Sequence, residues 1–133
     1  MPRPSKDEYF LRIAQDVAAR STCLRRQYGA VIVSPSGVIV STGYNGAPSG
    51  EPNCCDIGRC WREEHNIQHG QQYESCRSVH AEQNAINFAN RSDMQSATLY
   101  LAGWENGVLM ENPQPCKLCS RSIKNVGIAR VVS

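Results

Sequence analysis

Two short stretches of the chain combine residues that can bind a metal ion and move protons. The first is "SVHAEQNAI" at 78–86, in which His80 and Glu82 stand two positions apart. The second is "PCKLC", in which two residues separate Cys116 from Cys119. Cysteine thiolates and a histidine imidazole are preferred ligands of Zn²⁺, and a catalytic zinc site takes three of them and keeps one position for water. His80, Cys116 and Cys119 are therefore the candidate ligands.

Both stretches are predicted to lie where a helix begins, over about 79–90 and 116–125. The positive end of a helix dipole favours thiolate over thiol, which suits cysteine as a metal ligand. A zinc ion lowers the pKa of water from about 15.7 toward about 7. A carboxylate beside that water can take its proton and pass it to a leaving nitrogen. Glu82 is the candidate for this role.

The order H-x-E followed by P-C-x-x-C is the signature of zinc-dependent deaminases. Each motif alone is weaker evidence for a deaminase, because a lone His-x-Glu is also common where a helix is capped. A lone Cys-x-x-Cys is also found in redox pairs and in structural zinc sites. The redox alternative requires neither His80 nor Glu82, so the two halves together indicate a deaminase.

Composition favours one domain, 1–133, with a core of its own. Apolar residues make up 41% and charged residues 20% of the 133 positions, as in globular proteins. The net charge of +2 is too small to predict a polynucleotide-binding groove. Charges interrupt the first apolar pattern, so we expect neither a signal peptide nor a membrane span. Seven cysteines without an export signal then indicate reduced thiols in a cytoplasmic protein.

Hydrophobic periodicity predicts an α/β fold, in which helices cover one sheet. A hairpin is followed by helix, strand, helix and strand, and we expect parallel pairing across the two late crossovers. Four strands would leave an exposed edge that oligomerisation could cover. The predicted helices are 5–20, 79–90 and 116–125, and the predicted strands are 29–34, 38–43, 97–102 and 128–133.

Four motifs resemble those of the deoxycytidylate (dCMP) deaminase family, and the match runs from about residue 5 to the end. They are "STCLRRQYGAVIV" (21–33), "GYNGAPSG" (43–50), "CRSVHAEQNAI" (76–86) and "PCKLC" (115–119). The resemblance implies a three-layer cytidine-deaminase-like fold, with a central mixed sheet flanked by helices. It also implies catalytic zinc on His80, Cys116 and Cys119, with Glu82 as proton shuttle. The implied reaction converts dCMP and water to dUMP and ammonia in a homo-oligomer, a dimer or a hexamer.

Substrate contacts follow from the same resemblance. In the family the region of "GYNGAPSG" contacts the nucleotide, which makes Asn45 the candidate side chain. Backbone N–H groups near Ala81 are expected to orient the pyrimidine. Arg25, Arg26 and Arg77 are candidate phosphate partners, because the planar guanidinium suits phosphate. The alternatives are a plain turn around Asn45 and solvated surface arginines.

The segment between the motifs suggests a second, structural zinc. Some members of the family hold such an ion here, and Cys54, Cys60 and Cys76 match the spacing. His69 is the candidate fourth ligand, since Asn53 stands where many relatives have histidine. A structural metal would order a polar segment that has no core of its own. The alternative is a set of reduced, partly buried thiols.

One departure from the family concerns the substrate pocket. The segment "GWENGVLMEN" (103–112) is longer than the usual connection and could reshape the pocket mouth, with Trp104 either covering substrate or packing. Two other functions stay open. One is deamination of another base, such as adenosine in tRNA, which the mild charge disfavours. The other is a catalytically silent zinc- or nucleotide-binding regulatory protein, in which Glu82 would have no purpose.

Overall fold

The computed structural model describes residues 2–23, 25–46 and 79–133. In these ranges the helices are α1 (Lys6–Ala18), α2 (Ala81–Asn87) and α3 (Lys117–Asn125), with a 3-10 turn at Arg91–Met94. The strands are β1 (Arg26–Val33), β2 (Ile39–Tyr44), β3 (Thr98–Glu105), β4 (Val108–Leu109) and β5 (Arg130–Val132). None of these helices is both long and apolar enough to cross a membrane.

The strands form one mixed sheet in the order β2-β1-β3, and β3 also pairs with β4 and β5. β1 is antiparallel to both of its neighbours. It covers one edge of β3 along its whole length, so β4 and β5 share the other edge. The α/β class and the mixed sheet expected from the sequence are therefore confirmed.

The expected strand pairing is only half correct. β3 and β5 are parallel across α3, as predicted. β2 and β3, which α2 connects, are not hydrogen-bonded to each other, because β1 lies between them. The hairpin already pairs β2 with β1, so the chain leaving α2 adds β3 to the outer edge of β1.

The segment 103–112 supplies a strand that the sequence analysis did not predict. β3 extends to Glu105, turns at Asn106 and Gly107, and returns as β4. The two turn residues have φ values of 50° and 80°, the left-handed region in which asparagine and glycine are favoured. Within the described ranges the sheet therefore has five strands and not the predicted four.

Side chains alternate across the sheet and build two separate cores, which confirms the three layers. On one face α1 packs over β1 and β3, and on the other face α2 and α3 pack side by side. The α1 core contains Phe10, Ala14, Val31, Val33, Tyr100 and Ala102. The opposite core contains Ala30, Ile32, Ala81, Ala85, Met94, Ala97, Leu99, Leu101, Ile123 and Ile128. Residues at the starts of α2 and α3 thus lie on the same face of the sheet.

Candidate metal centre

His80 is the N-cap of α2. Its backbone is extended, with φ −67° and ψ 151°, and its N–H donates to the side-chain oxygen of Gln83 at 3.1 Å. This bond satisfies one donor at a helix terminus and fixes where the helix begins. Glu82 consequently lies in the first turn, two residues after the imidazole.

Cys116 has the same place in α3 that His80 has in α2. It is the N-cap, and its Sγ accepts from the backbone N–H of Cys119 at 3.5 Å. Cys119 is in the first turn and is completely buried. The two-residue spacing therefore brings both thiols to the same helix end, where the dipole is positive.

The two helix starts meet at three donor atoms. His80 Nδ1 lies 3.3 Å from Cys119 Sγ and 3.5 Å from Cys116 Sγ. All three donor atoms fall within 4.8 Å of one another. Zn–S and Zn–N bond lengths with tetrahedral angles require an S···N separation of about 3.6 Å. Both thiols are free of disulfides, so the donor set and its spacing fit a zinc ion.

Glu82 is a buried carboxyl group beside this cluster. It is 5% exposed, and burial raises its pKa, against the opposing effects of its own backbone N–H and the Cys119 thiol. The pKa of Cys119 is raised as well, by burial and then by the charges of Glu82 and Cys116. Burial therefore shifts the proton equilibrium of both groups toward the protonated form, and a bound metal ion would reverse that shift for the thiol.

Asn45 lies at the end of β2 and joins three segments. Its Oδ1 accepts from Ser21 Oγ at 2.6 Å and from the backbone N–H of Tyr28 at 2.8 Å. Its Nδ2 donates to the carbonyl of Arg26 at 2.9 Å. The buried amide therefore orders the start of β1, a role that the sequence analysis did not assign. Ala81, the other predicted substrate contact, is the first residue of α2.

Trp104 packs on the face opposite to the metal donors. Its indole N–H donates to the carbonyl of Gln15 in α1 at 3.2 Å. Of the two readings, packing against α1 is the one that this geometry favours. The predicted phosphate partner Arg26 forms an ion pair with Glu105 at 3.0 Å, which links β1 to β3.

Several predicted residues lie outside the described residues. They are the candidate ligands Cys54, Cys60, His69 and Cys76, together with Asn53 and Arg77. The structure therefore leaves the second zinc as a prediction.

The residues that hold α2 against β2 were not predicted from the sequence. Ser41 Oγ donates to the carbonyl of Ala85 at 2.6 Å, and Asn84 Nδ2 donates to the carbonyl of Tyr44 at 2.8 Å. At Gly43 the backbone of α2 lies in close contact with the backbone of β2. Two alanines four positions apart on the helix were the available signal, because they mark a face that lies close to another backbone.

Comparison with known proteins adds a family match over 4–133, to the cytidine and deoxycytidylate deaminase zinc-binding region. A deoxycytidylate deaminase of Mycobacterium phage D29 is 41% identical, with 99% of this chain and 96% of that protein aligned. A deoxycytidylate deaminase of Schizosaccharomyces pombe is 38% identical, and the chain spans 37% of its length. The crystal structure of a dCMP deaminase from cyanophage S-TIM5 superposes with a TM-score of 0.68 at 26% identity, over 98% of this chain and 82% of that one.

Proposed function

The chain belongs to the cytidine and deoxycytidylate deaminase family, and on this premise we propose that it hydrolyses dCMP to dUMP and ammonia. The observation that carries the proposal is the convergence of one imidazole nitrogen and two thiols beside a buried carboxyl group. Relatives named deoxycytidylate deaminase match nearly the whole chain. One cyanophage relative has been solved in complex with dCMP and dUMP, and it superposes with a TM-score of 0.65.

His80, Cys116 and Cys119 would hold the zinc ion in this proposal. Their S···N distances of 3.3 and 3.5 Å lie close to the tetrahedral value of about 3.6 Å. When bound there, zinc supplies the Lewis acidity that activates water for attack at C4 of cytosine. The three protein ligands leave the fourth position open, as a catalytic site requires.

Glu82 carries the protons. It takes one proton from the attacking water and delivers it to N3 of the base, and it then takes the second proton from the hydroxyl group added at C4 and delivers it to the departing amine. Its burial supports this role, because a carboxyl group with a raised pKa can hold the proton between the two transfers. Backbone N–H groups near Ala81 orient the pyrimidine, since N–H groups in the first turn of a helix have no intrahelical acceptor.

Asn45 is proposed to contact the nucleotide from the end of β2. Support for this comes from the resemblance of the segment "GYNGAPSG" to the nucleotide-contacting region of the family. The three hydrogen bonds of the amide fix the position of Asn45 beside β1. A second, structural zinc is also proposed on Cys54, Cys60 and Cys76, which match the spacing found in some members of the family, with His69 as the candidate fourth ligand.

A homo-oligomer, either a dimer or a hexamer, is proposed in a reducing cytoplasm. Apolar side chains that are exposed on the described part of the chain support the association, among them Phe88, Val108 and Leu118. A zinc site built on two unpaired thiols supports the reducing compartment, where such thiols persist.

One experiment tests the function directly. The purified protein is analysed for zinc and then assayed for ammonia release from dCMP, CMP, dCTP and a tRNA. We expect bound zinc and the highest kcat/KM with dCMP. Preference for the tRNA would identify a deaminase of another base, and bound zinc without release from any substrate would identify a silent binding protein. Either result would overturn the proposal.

A further inference from the structure

Helix α2 lies against the backbone of β2 at Gly43. A Cβ atom placed on this glycine would lie 2.6 Å from the carbonyl oxygen of Ala81 and 3.0 Å from Cα of Ala85, and it would overlap the backbone nitrogen of Ala85. These neighbours are all backbone atoms of the helix, so no side-chain rotation can make room. Both alanines are completely buried. The absence of a side chain at Gly43 therefore determines how near the helix lies to the sheet.

Hydrogen bonds hold α2 at this distance along its length. Ser41 donates to Ala85 near the end of the helix, at 2.6 Å. Asn84 donates from the helix to Tyr44 at 2.8 Å. Before the helix begins, Val79 and Gly46 form a two-way backbone bridge, with N···O distances of 2.6 and 3.1 Å. The helix is thus fixed to β2 on both sides of Gly43.

The contact at Gly43 lies next to the candidate metal centre. Ala81, whose carbonyl lies against Gly43, stands between His80 and Glu82 in the chain. A shift of this turn would move the imidazole and the carboxyl group together. The two cysteines would not follow, since they lie at the start of α3, which comes between β4 and β5 in the chain.

We propose that Gly43 is a positioning residue: it sets the depth of α2 so that His80 and Glu82 reach the thiols of α3. The inference rests on the proposed zinc site but adds a residue that touches neither metal nor substrate. A substitution at Gly43 should loosen metal binding as well as reduce stability. A residue with a purely structural role would reduce stability alone.

Gly29 provides a matched control. It is the glycine at which α1 approaches β1, and a Cβ atom there would lie 2.9 Å from Cα of Ala18 and overlap the backbone of Ala14 and Ala18. The obstacle is again helix backbone, so Gly29→Ala should cost stability as Gly43→Ala does. It lies on the α1 face of the sheet, away from the metal donors.

The test compares Gly43→Ala with Gly29→Ala in the full chain. Zinc affinity is measured by competition with a chelator, and the visible spectrum of the Co²⁺-loaded protein reports the ligand geometry. We expect Gly43→Ala to lose about 10- to 100-fold in zinc affinity, the range for residues that support metal ligands, and to change the Co²⁺ spectrum. Gly29→Ala should keep the affinity and spectrum of the wild type. Equal zinc affinities and spectra in the two variants would overturn the inference.

A second pair of variants, with milder substitutions, tests the inference if Gly43→Ala fails to fold. Ser41→Ala removes a hydroxyl tether from the sheet to α2, and Tyr100→Phe removes one from the sheet to α1. We expect a smaller loss of zinc affinity in Ser41→Ala and none in Tyr100→Phe. Unchanged affinity in both would count against the positioning role. If the wild type itself binds no zinc, the proposed function fails, whereas a zinc-binding, active wild type with insensitive variants refutes the positioning role alone.

Discussion

His80 and Cys119 are thirty-nine residues apart in the chain, yet Nδ1 of one lies 3.3 Å from Sγ of the other. The two crossovers explain the contact. β2 and β3 run in the same direction, because each is antiparallel to β1. α2 follows β2 in the chain, and α3 follows β3 after the short strand β4, which pairs with the carboxyl end of β3. Both helices therefore start near the carboxyl ends of these strands, where α/β sheets bind their ligands. The topology itself brings the two motifs together.

Replacement of Cys116 should remove zinc without unfolding the chain. The thiol is a donor atom of the cluster and the N-cap of α3, and a serine hydroxyl can keep the cap but is a poor zinc ligand. We expect Cys116→Ser to contain little zinc in metal analysis while its circular dichroism stays close to that of the wild type. Cys23→Ser, outside the cluster, is the control and should keep its zinc. A Cys116→Ser protein with full zinc and full activity would refute the ligand assignment.

Replacement of Glu82 should separate metal binding from turnover. Glu82→Gln keeps the shape of the buried side chain but cannot accept the proton of the attacking water. We expect zinc content to stay normal and kcat for dCMP to fall by about 10²- to 10⁴-fold, the contribution typical of a positioned acid or base. Glu8→Gln, in the first turn of α1, is the matched control and should be fully active. Substantial turnover by the Glu82→Gln protein would exclude the shuttle mechanism.

Zinc binding should release protons. Burial, followed by the charges of Glu82 and Cys116, raises the pKa of the Cys119 thiol, so this group enters metal binding protonated at neutral pH. Because a thiol must lose its proton to bind zinc, the affinity should increase with pH across the neutral range. Titration of zinc into weakly buffered protein with a pH indicator would count the protons. Cys119→Ser, which lacks this thiol and one of the three donor atoms, should release fewer protons per zinc added, and equal release by both proteins would contradict the expectation.

The helix starts were predictable because their signals are local. The spacing of His80 and Glu82, and of Cys116 and Cys119, places each pair in one helix turn, and short-range chemistry decides where such a turn begins. The convergence of the two pairs was predictable only from the deaminase signature and the family resemblance. Nothing in either stretch alone specifies its partner.

The order of the strands was not predictable in the same way. Whether β3 pairs with β2 or with β1 depends on which edge the hairpin leaves open, and this is a property of the whole sheet. The role of Gly43 was hidden for a similar reason, since a glycine before Tyr44-Asn45-Gly46 has the pattern of a turn. Its packing against α2 is a contact with residues about forty positions further along the chain.

Stability should fall at both ends of the pH range through one cluster that joins α1 to the sheet. Asp7 accepts from Tyr100 Oη at 2.7 Å and pairs with Arg130 at 2.6 Å, and Arg130, followed by Tyr100, lowers the pKa of Asp7. Because the pKa of Asp7 is lower in the folded than in the unfolded chain, Asp7 stabilises the fold at pH values above its unfolded pKa, which is near 3.8. This contribution disappears as the pH falls through the pKa of the folded state. Burial, followed by Asp7, raises the pKa of Tyr100 to about 12. The contribution of Tyr100 to stability is complete below about pH 10 and is lost as the pH rises toward about 12.

Tyr100→Phe isolates the alkaline half of this prediction. Without the hydroxyl, the unfolding free energy at neutral pH should fall by about 1 kcal/mol, the value of one hydrogen bond. The extra loss of stability between about pH 10 and about pH 12 should vanish, because the group that titrates there is gone. Urea unfolding across this range measures both effects. The control is Tyr9→Phe, because the side chain of Tyr9 is half exposed. This variant should lose stability between about pH 10 and about pH 12 as the wild type does. If Tyr100→Phe lost as much unfolding free energy at high pH as the wild type, groups other than Tyr100 would be responsible for the loss.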